Sequence, residues 1–117
     1  MYRFKAKVIP GRRRGRRIGF PTANLNIVNL LFAHGVYLVK VTLDNKIEQG
    51  LMHYGPKKTF NEEISREIYL KNFNENIYGR TLAVEVIKKI RDIRKFAGPE
   101  ELKKQITKDL QELDRED

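Results

Sequence analysis

Two side chains that end in oxygen, those of Thr22 and Asn24, lie two residues apart in the segment Pro21-Thr22-Ala23-Asn24. In an extended chain, residues at this spacing project to the same side. Hydroxyl and amide oxygens are hard ligands of the kind that Mg²⁺ binds beside water and substrate phosphates. The same pattern also suits a loop entry whose side chains hydrogen-bond the local backbone, so both interpretations stay open.

A basic loop precedes this segment, and its glycines recur at every fourth position, at Gly11, Gly15 and Gly19. Five arginines lie among them: Arg12, Arg13, Arg14, Arg16 and Arg17. The spacing differs from both the Walker P-loop and the dinucleotide-binding fingerprint. Glycines let backbone N–H groups approach phosphate oxygens, and guanidinium groups match phosphate geometry. The loop is therefore a candidate triphosphate cradle, or else a solvated loop that touches nucleic acid nonspecifically.

A third candidate is the carboxylate of Glu67, in the segment Glu67-Ile68-Tyr69-Leu70. Strand alternation sends Glu67 to the face opposite Ile68 and Leu70, so the carboxylate can point into a polar cleft and act as a general base. The alternative is an exposed glutamate on the surface of a strand.

Short strand-like segments must position these groups. Residues 2–9 alternate between apolar and basic types, and β-branched and aromatic residues dominate 35–43. Asp44-Asn45 predicts a hairpin turn into a strand at 46–54, and two further strands are predicted near 67–73 and 80–90. Strands at this spacing predict a closed or nearly closed barrel.

The end of the chain changes to a helical period, with apolar residues at Leu102, Ile106, Leu110 and Leu113. Gly98 is the predicted N-cap, and Pro99 suits the first turn. A helix is therefore expected to pack on the barrel and complete it.

Composition limits the classes of protein that remain. The 117 residues predict one domain spanning 1–117, and 40% hydrophobic with 33% charged residues excludes a disordered chain. Without cysteine there is no disulfide framework and no thiolate metal site. The N-terminus lacks the apolar run of a secretory signal or membrane span, so a cytoplasmic protein without a membrane partner is expected. The net charge of +9 favours polyanions, either nucleotides or nucleic acid.

A long stretch of the chain resembles the signature of bacterial and eukaryotic riboflavin kinases: Gly11-x-x-x-Gly15-Arg16-x-x-Gly19-Phe20-Pro21-Thr22-Ala23-Asn24. Further similar segments follow in the family's order, namely Gly35-Val36-Tyr37, Gly50 to Gly55 with Thr59-Phe60, Glu67 to Phe73 with Tyr78-Gly79, and Arg91 to Phe96. The resemblance covers nearly the whole chain. It implies a mainly β fold, a six-stranded antiparallel Greek-key barrel with a C-terminal helix.

The resemblance also implies an activity, the transfer of the γ-phosphate of ATP or another nucleoside triphosphate to the 5′-hydroxyl of riboflavin, forming FMN. Glu67 would be the catalytic base, and Thr22 and Asn24 would hold Mg²⁺. Nucleotide-binding positions would be Gly11, Gly15, Arg16, Gly19, Phe20, Pro21, Thr22, Leu70, Lys71 and Tyr78. Arg91, Arg94 and Phe96 would lie at the flavin end. A monomer is expected, and FAD synthesis is not.

The sequence departs from the family pattern at several positions. His53 stands where the family usually has asparagine, and Lys58 and Phe32 each stand where it usually has proline. His34 and His53 are interpreted as structural or surface residues because no carboxylate cluster accompanies them at ligand spacing. Two alternatives remain: a small basic β-barrel that binds nucleic acid, a partner that the resemblance does not imply, and a flavin-binding homologue without activity.

Overall fold

The strands of this protein were located in a computed structural model, which describes residues 2–9, 22–27, 30–57, 62–70 and 77–113. In that part of the chain there are six strands: β1 (Tyr2–Ile9), β2 (Thr22–Leu25), β3 (Gly35–Leu43), β4 (Lys46–Lys57), β5 (Glu62–Leu70) and β6 (Thr81–Arg91). They precede a helix, α1 (Pro99–Leu113). The protein is therefore mainly β, as predicted.

The six strands close into an antiparallel barrel in the order β1-β2-β5-β4-β3-β6, with β6 returning to pair with β1. Strands β3, β4 and β5 are consecutive neighbours, and β6 returns to lie beside β3. Three consecutive strands followed by one that returns beside the first form a Greek key. The predicted six-stranded Greek-key barrel is thus confirmed.

Side chains that alternate along each strand fill the barrel interior. The apolar members of this core come from every strand, and among them Val39, Met52, Ile68 and Ala23 are completely buried. Because residues two apart share a face of a strand, the intervening residues face outward. This alternation determines which residues can form a site on the outer wall.

Helix α1 covers part of that outer wall. Ile106 and Leu110 pack on outward-facing residues of three adjacent strands, which are Val36, Leu38, Leu51 and Tyr69. The N–H of Leu102 donates to the carbonyl of Gly98, and the Glu101 carboxylate accepts from the N–H of Ala97. Gly98 therefore occupies the predicted N-cap position, and Leu102, Ile106 and Leu110 of the predicted apolar stripe face the barrel.

Some element boundaries differ from the sequence predictions. Strand β5 begins at Glu62 rather than near 67, and β4 continues to Lys57 rather than ending near 54. Both extensions lie where β4 and β5 pair with each other, from Gly50↔Leu70 to Lys57↔Glu62. Backbone pairing lengthens these strands beyond the segments where side-chain alternation is visible.

Candidate active site

Strand β2 lies between β1 and β5 and brings Asn24 beside Glu67. In the register of β2 and β5, Asn24 pairs with Glu67, Ala23 with Ile68 and Thr22 with Tyr69. Directly paired residues of antiparallel strands point to the same face. Since Ala23 and Ile68 are in the barrel interior, the side chains of Asn24 and Glu67 lie together on the outer wall.

Glu67 lies opposite Ile68 and Leu70 as predicted, but it is not the exposed strand glutamate of the alternative interpretation. Its exposed fraction is only 3%, although its face of the sheet is the outer one. A buried carboxylate needs polar partners because burial without them is costly. The burial of Glu67 therefore indicates a built polar environment rather than a solvated surface position.

Thr22 shares the face of Asn24, two residues earlier on β2, and both residues are half-buried. The threonine pairs across the strands with Tyr69, which is buried. Thr22, Asn24 and Glu67 thus form one group on adjacent strands, with two neutral oxygen-bearing side chains at the edge of a buried carboxylate.

A histidine adjoins this group on the next strand. His53 of β4 pairs with Glu67 on the side away from Asn24, so the three side chains form a row across β2, β5 and β4. His53 Nδ1 lies 3.0 Å from Ser65 Oγ, at hydrogen-bonding distance. Sequence reasoning assigned His53 no part in the site. No signal in the sequence marked it, because its place beside Glu67 follows from the register of β4 with β5.

The remaining residues assigned to the nucleotide lie in different surroundings. The Leu70 side chain is buried in the barrel interior, so a nucleotide on the outer wall would meet its backbone rather than its side chain. Tyr78 is 37% exposed in the turn before β6. That turn is tied to β1, because the N–H of Gly79 donates to the carbonyl of Val8.

Seven of the assigned residues lie outside the described residues: Gly11, Gly15, Arg16, Gly19, Phe20, Pro21 and Lys71.

The three residues assigned to the flavin end are brought together after β6. Phe96 is buried, and the guanidinium carbon atoms of Arg94 and Arg91 lie 4.6 Å and 5.6 Å from its ring centroid. Cations over an aromatic face at these distances are attracted by the ring quadrupole. Arg91 also belongs to the row that contains Glu67, because it pairs with Val36 and Val36 pairs with His53.

Two residues of α1 that sequence reasoning missed hold these arginines. Arg91 Nε donates to Asp109 Oδ2 over 3.0 Å, and Arg94 Nη2 donates to Gln105 Oε1 over 3.0 Å. Gln105 Nε2 in turn donates to Asp109 Oδ1 over 2.8 Å. Asp109 is buried, so a charged group is included in the packed face of the helix.

An exposed ion pair flanks this cluster. Lys89 Nζ and the Asp92 carboxylate are 2.5 Å apart, and this hydrogen bond lowers the pKa of Asp92 and raises the pKa of Lys89. Both groups therefore stay ionised at neutral pH. The Asp92 carbonyl also accepts from Arg91 Nη1 over 3.3 Å, which links the end of β6 to the segment that follows.

The donor chemistry of the Thr22 and Asn24 pair fits Mg²⁺. Both side chains offer neutral oxygens on a half-buried face, and Mg²⁺ prefers oxygen ligands and commonly completes its shell with water and substrate phosphates. Within the described ranges, no three His, Cys, Asp or Glu side chains cluster as a metal site.

Among the same residues, no helix has the length and apolar character needed to cross a bilayer.

The protein belongs to the class of closed Greek-key β-barrels, and it has a group of oxygen-bearing side chains on its outer wall. Its family follows from comparison, since the riboflavin kinase (flavokinase) family model matches residues 1–116. The chain belongs to the riboflavin kinase family.

Curated relatives named as riboflavin kinases are longer than this chain. The bifunctional riboflavin kinase/FMN adenylyltransferase of Bacillus subtilis is 42% identical over 120 residues, which cover 97% of this chain and 38% of that protein. The RNA-binding riboflavin kinase RibR of the same organism is 37% identical over 105 residues, covering 88% of this chain and 46% of the relative. The chain therefore spans less than half the length of these relatives.

A solved structure agrees with the fold. A protein of Streptococcus pneumoniae, described as a macrolide-efflux protein, superimposes with a TM-score of 0.81 at 35% sequence identity. The match covers 93% of this chain and 37% of the other. The barrel and its helix are therefore an architecture already observed by experiment within a longer protein.

Proposed function

We propose that this protein is a riboflavin kinase, which transfers the γ-phosphate of ATP to the ribityl 5′-hydroxyl of riboflavin and forms FMN. The observation that carries the proposal is the pairing of Asn24 with the buried Glu67, with Thr22 beside them, in a chain of the riboflavin kinase family. Phosphoryl transfer depends mainly on positioning and on charge stabilisation, and this group offers both.

In the proposed reaction, the riboflavin hydroxyl oxygen forms a bond to the γ-phosphorus while the bond to the β,γ-bridging oxygen breaks. The nucleoside diphosphate leaves with that electron pair, and the Glu67 carboxylate accepts the hydroxyl proton. Burial of Glu67 keeps competing water away from the carboxylate, and the strand pairing on both sides fixes its backbone.

Thr22 and Asn24 would hold Mg²⁺ through their hydroxyl and amide oxygens. When bound, this ion would neutralise charge on the nucleotide phosphates. The two protein ligands are neutral, so the negative charge that attracts the ion comes from Glu67 nearby and from the nucleotide itself.

Two further regions would bind the substrates. The basic loop and its neighbours would hold the nucleotide through Gly11, Gly15, Arg16, Gly19, Phe20, Pro21 and Lys71, with Tyr78 and the backbone of Leu70 nearby. Arg91, Arg94 and Phe96 would form the flavin end. In the row from Glu67 to Arg91 the residues pair across four strands, a path of roughly 14 Å along the curved wall of the barrel at the usual strand spacing. We further propose that the protein acts as a cytoplasmic monomer.

Product analysis tests the proposal. The purified protein is incubated with riboflavin, Mg²⁺ and either ATP or CTP, and flavins are separated by chromatography. We expect FMN to form in proportion to enzyme, and the two nucleotides identify the donor. Flavin binding without FMN from either nucleotide would identify the inactive homologue, and a salt-sensitive shift of RNA without flavin binding would identify the nucleic-acid binder.

A further inference from the structure

The buried carboxylate of Asp109 lies between the barrel and its helix and has both oxygens in use. Oδ2 accepts from Arg91 and Oδ1 from Gln105, at 3.0 Å and 2.8 Å. Its exposed fraction is 4%, and the Arg91 side chain is 19% exposed. The pair is therefore largely removed from water, unlike the exposed pair of Arg3 with Glu85.

Hydrogen bonds and cation–π contacts connect Asp109 to a cluster of side chains around Phe96. Gln105 accepts from Arg94, and the guanidinium groups of Arg94 and Arg91 lie over the Phe96 ring. The group joins three parts of the chain: the end of β6, the segment that follows it, and α1. Asp109 is its central member, because one carboxylate contacts Arg91 directly and Arg94 through Gln105.

Attachment of the helix does not require this charge. The apolar contacts of Ile106 and Leu110 with the outer wall already hold α1, and replacing a buried ion pair by apolar residues is often neutral for stability. What the carboxylate adds is a fixed direction for the Arg91 guanidinium, because a charge-assisted hydrogen bond restricts both partners. Arg91 ends the row of paired residues that starts at Glu67, three strand positions further round the barrel.

We infer that Asp109 is a positioning residue for flavin binding: it fixes the Arg91 guanidinium, and through Gln105 that of Arg94, against Phe96. This inference rests on the proposed function, since it assigns the cluster to the flavin rather than to the nucleotide. Asp109 itself does not touch substrate. Loss of the Asp109 carboxylate lowers riboflavin affinity. Nucleotide affinity, which depends on residues of β2 and β5, stays unchanged.

The test compares Asp109→Asn with Ile106→Val, which loosens the same helix without touching the cluster. Riboflavin affinity is measured by flavin fluorescence, KM is measured for riboflavin and for nucleotide separately, and Tm is recorded for each variant. For Asp109→Asn we expect riboflavin Kd and KM to rise about tenfold, as for one lost charge-assisted contact, with the nucleotide KM within about twofold of wild type. Ile106→Val lowers Tm but leaves both KM values near wild type.

Gln105→Ala provides a second variant that buries no unpaired charge, and we expect it to raise the riboflavin Kd about threefold, since Arg91 keeps its carboxylate partner. An unchanged riboflavin Kd in Asp109→Asn or in Gln105→Ala, or an equal rise in both KM values, overturns the inference. If wild type binds flavin but forms no FMN, and Asp109→Asn weakens that binding, the inference is supported and the kinase proposal is rejected. Absence of flavin binding by wild type rejects both.

Discussion

Asn24 and Glu67 are direct partners across strands β2 and β5, and their side chains leave the barrel on its outer wall. The carboxylate is nevertheless buried, with an exposed fraction of 3%. Pairing fixes the backbone of both residues, so the amide and the carboxylate leave the sheet from adjacent positions. This strand pairing places the backbone of the candidate metal ligand beside that of the candidate base.

Asn24→Ala tests the metal assignment. Because the amide oxygen is one of the two proposed protein ligands, we expect nucleotide binding in the presence of Mg²⁺ to weaken about 10- to 100-fold. Isothermal titration with ATP, in Mg²⁺ and again in EDTA, measures the effect. The loss should be confined to the titration with Mg²⁺.

Asn26→Ala is the matched control for that variant. Asn26 lies two residues further on, and its Oδ1 already accepts from the backbone N–H of Lys7 over 3.0 Å. We expect it to bind nucleotide as wild type does. Equal binding losses in the two variants, or a loss in Asn24→Ala that persists in EDTA, would remove Asn24 from the metal site.

Removing one partner of the Arg91–Asp109 pair should destabilise the fold far more than removing one partner of an exposed pair. Asp109→Ala leaves the Arg91 guanidinium with an unpaired charge in a partly buried position, so we expect a loss of about 3–5 kcal/mol in the free energy of unfolding. For Glu85→Ala at the exposed Arg3–Glu85 pair, we expect about 0–1 kcal/mol. Urea unfolding of both variants measures the difference, and similar losses would show that burial does not strengthen the pair.

A side chain at position 50 should destabilise the fold, because strand β5 lies against Gly50. A Cβ at this position would come within 2.9 Å of both the Tyr69 carbonyl oxygen and Ile68 Cγ2. The carbonyl belongs to a paired strand and cannot easily move, so we expect Gly50→Ala to destabilise the fold by about 1–3 kcal/mol.

Gly98→Ser is the control for Gly50→Ala. No described atom lies within 4 Å of a Cβ at Gly98, and serine is favoured at an N-cap. We expect its unfolding midpoint in urea to equal or slightly exceed that of wild type. A Gly50→Ala protein as stable as Gly98→Ser would mean that the β4 and β5 backbones are not in close contact at this point.

Much of the fold was predictable because side-chain periodicity is a local property. The alternation of residues 2–9 identified β1, and the stripe of Leu102, Ile106 and Leu110 identified the helix and its buried face. The direction of Glu67 followed from strand alternation beside the apolar Ile68 and Leu70, which are buried in the structure. Strand β2 was not predicted from the residue pattern, since four residues are too few for alternation to stand out.

The convergence of the site was not predictable from the residues alone. Asn24 and Glu67 are far apart in the chain, and their pairing depends on where β2 enters the barrel. The place of His53 beside Glu67 depends on a second pairing, that of β4 with β5. Asp109 did leave a signal, because it lies three residues after Ile106 and seven after Leu102, so the helical period places a carboxylate within the apolar stripe.

The central claim is that Glu67 is the base in phosphoryl transfer to riboflavin, and Glu67→Gln tests it most directly. The measurement is FMN formation in a single turnover, with riboflavin and nucleotide binding determined separately and Glu85→Gln as the matched strand-glutamate control. We predict a rate about 10²- to 10⁴-fold below wild type for Glu67→Gln, with both substrates still bound and Glu85→Gln fully active. A Glu67→Gln protein that forms FMN at the wild-type rate would contradict the account.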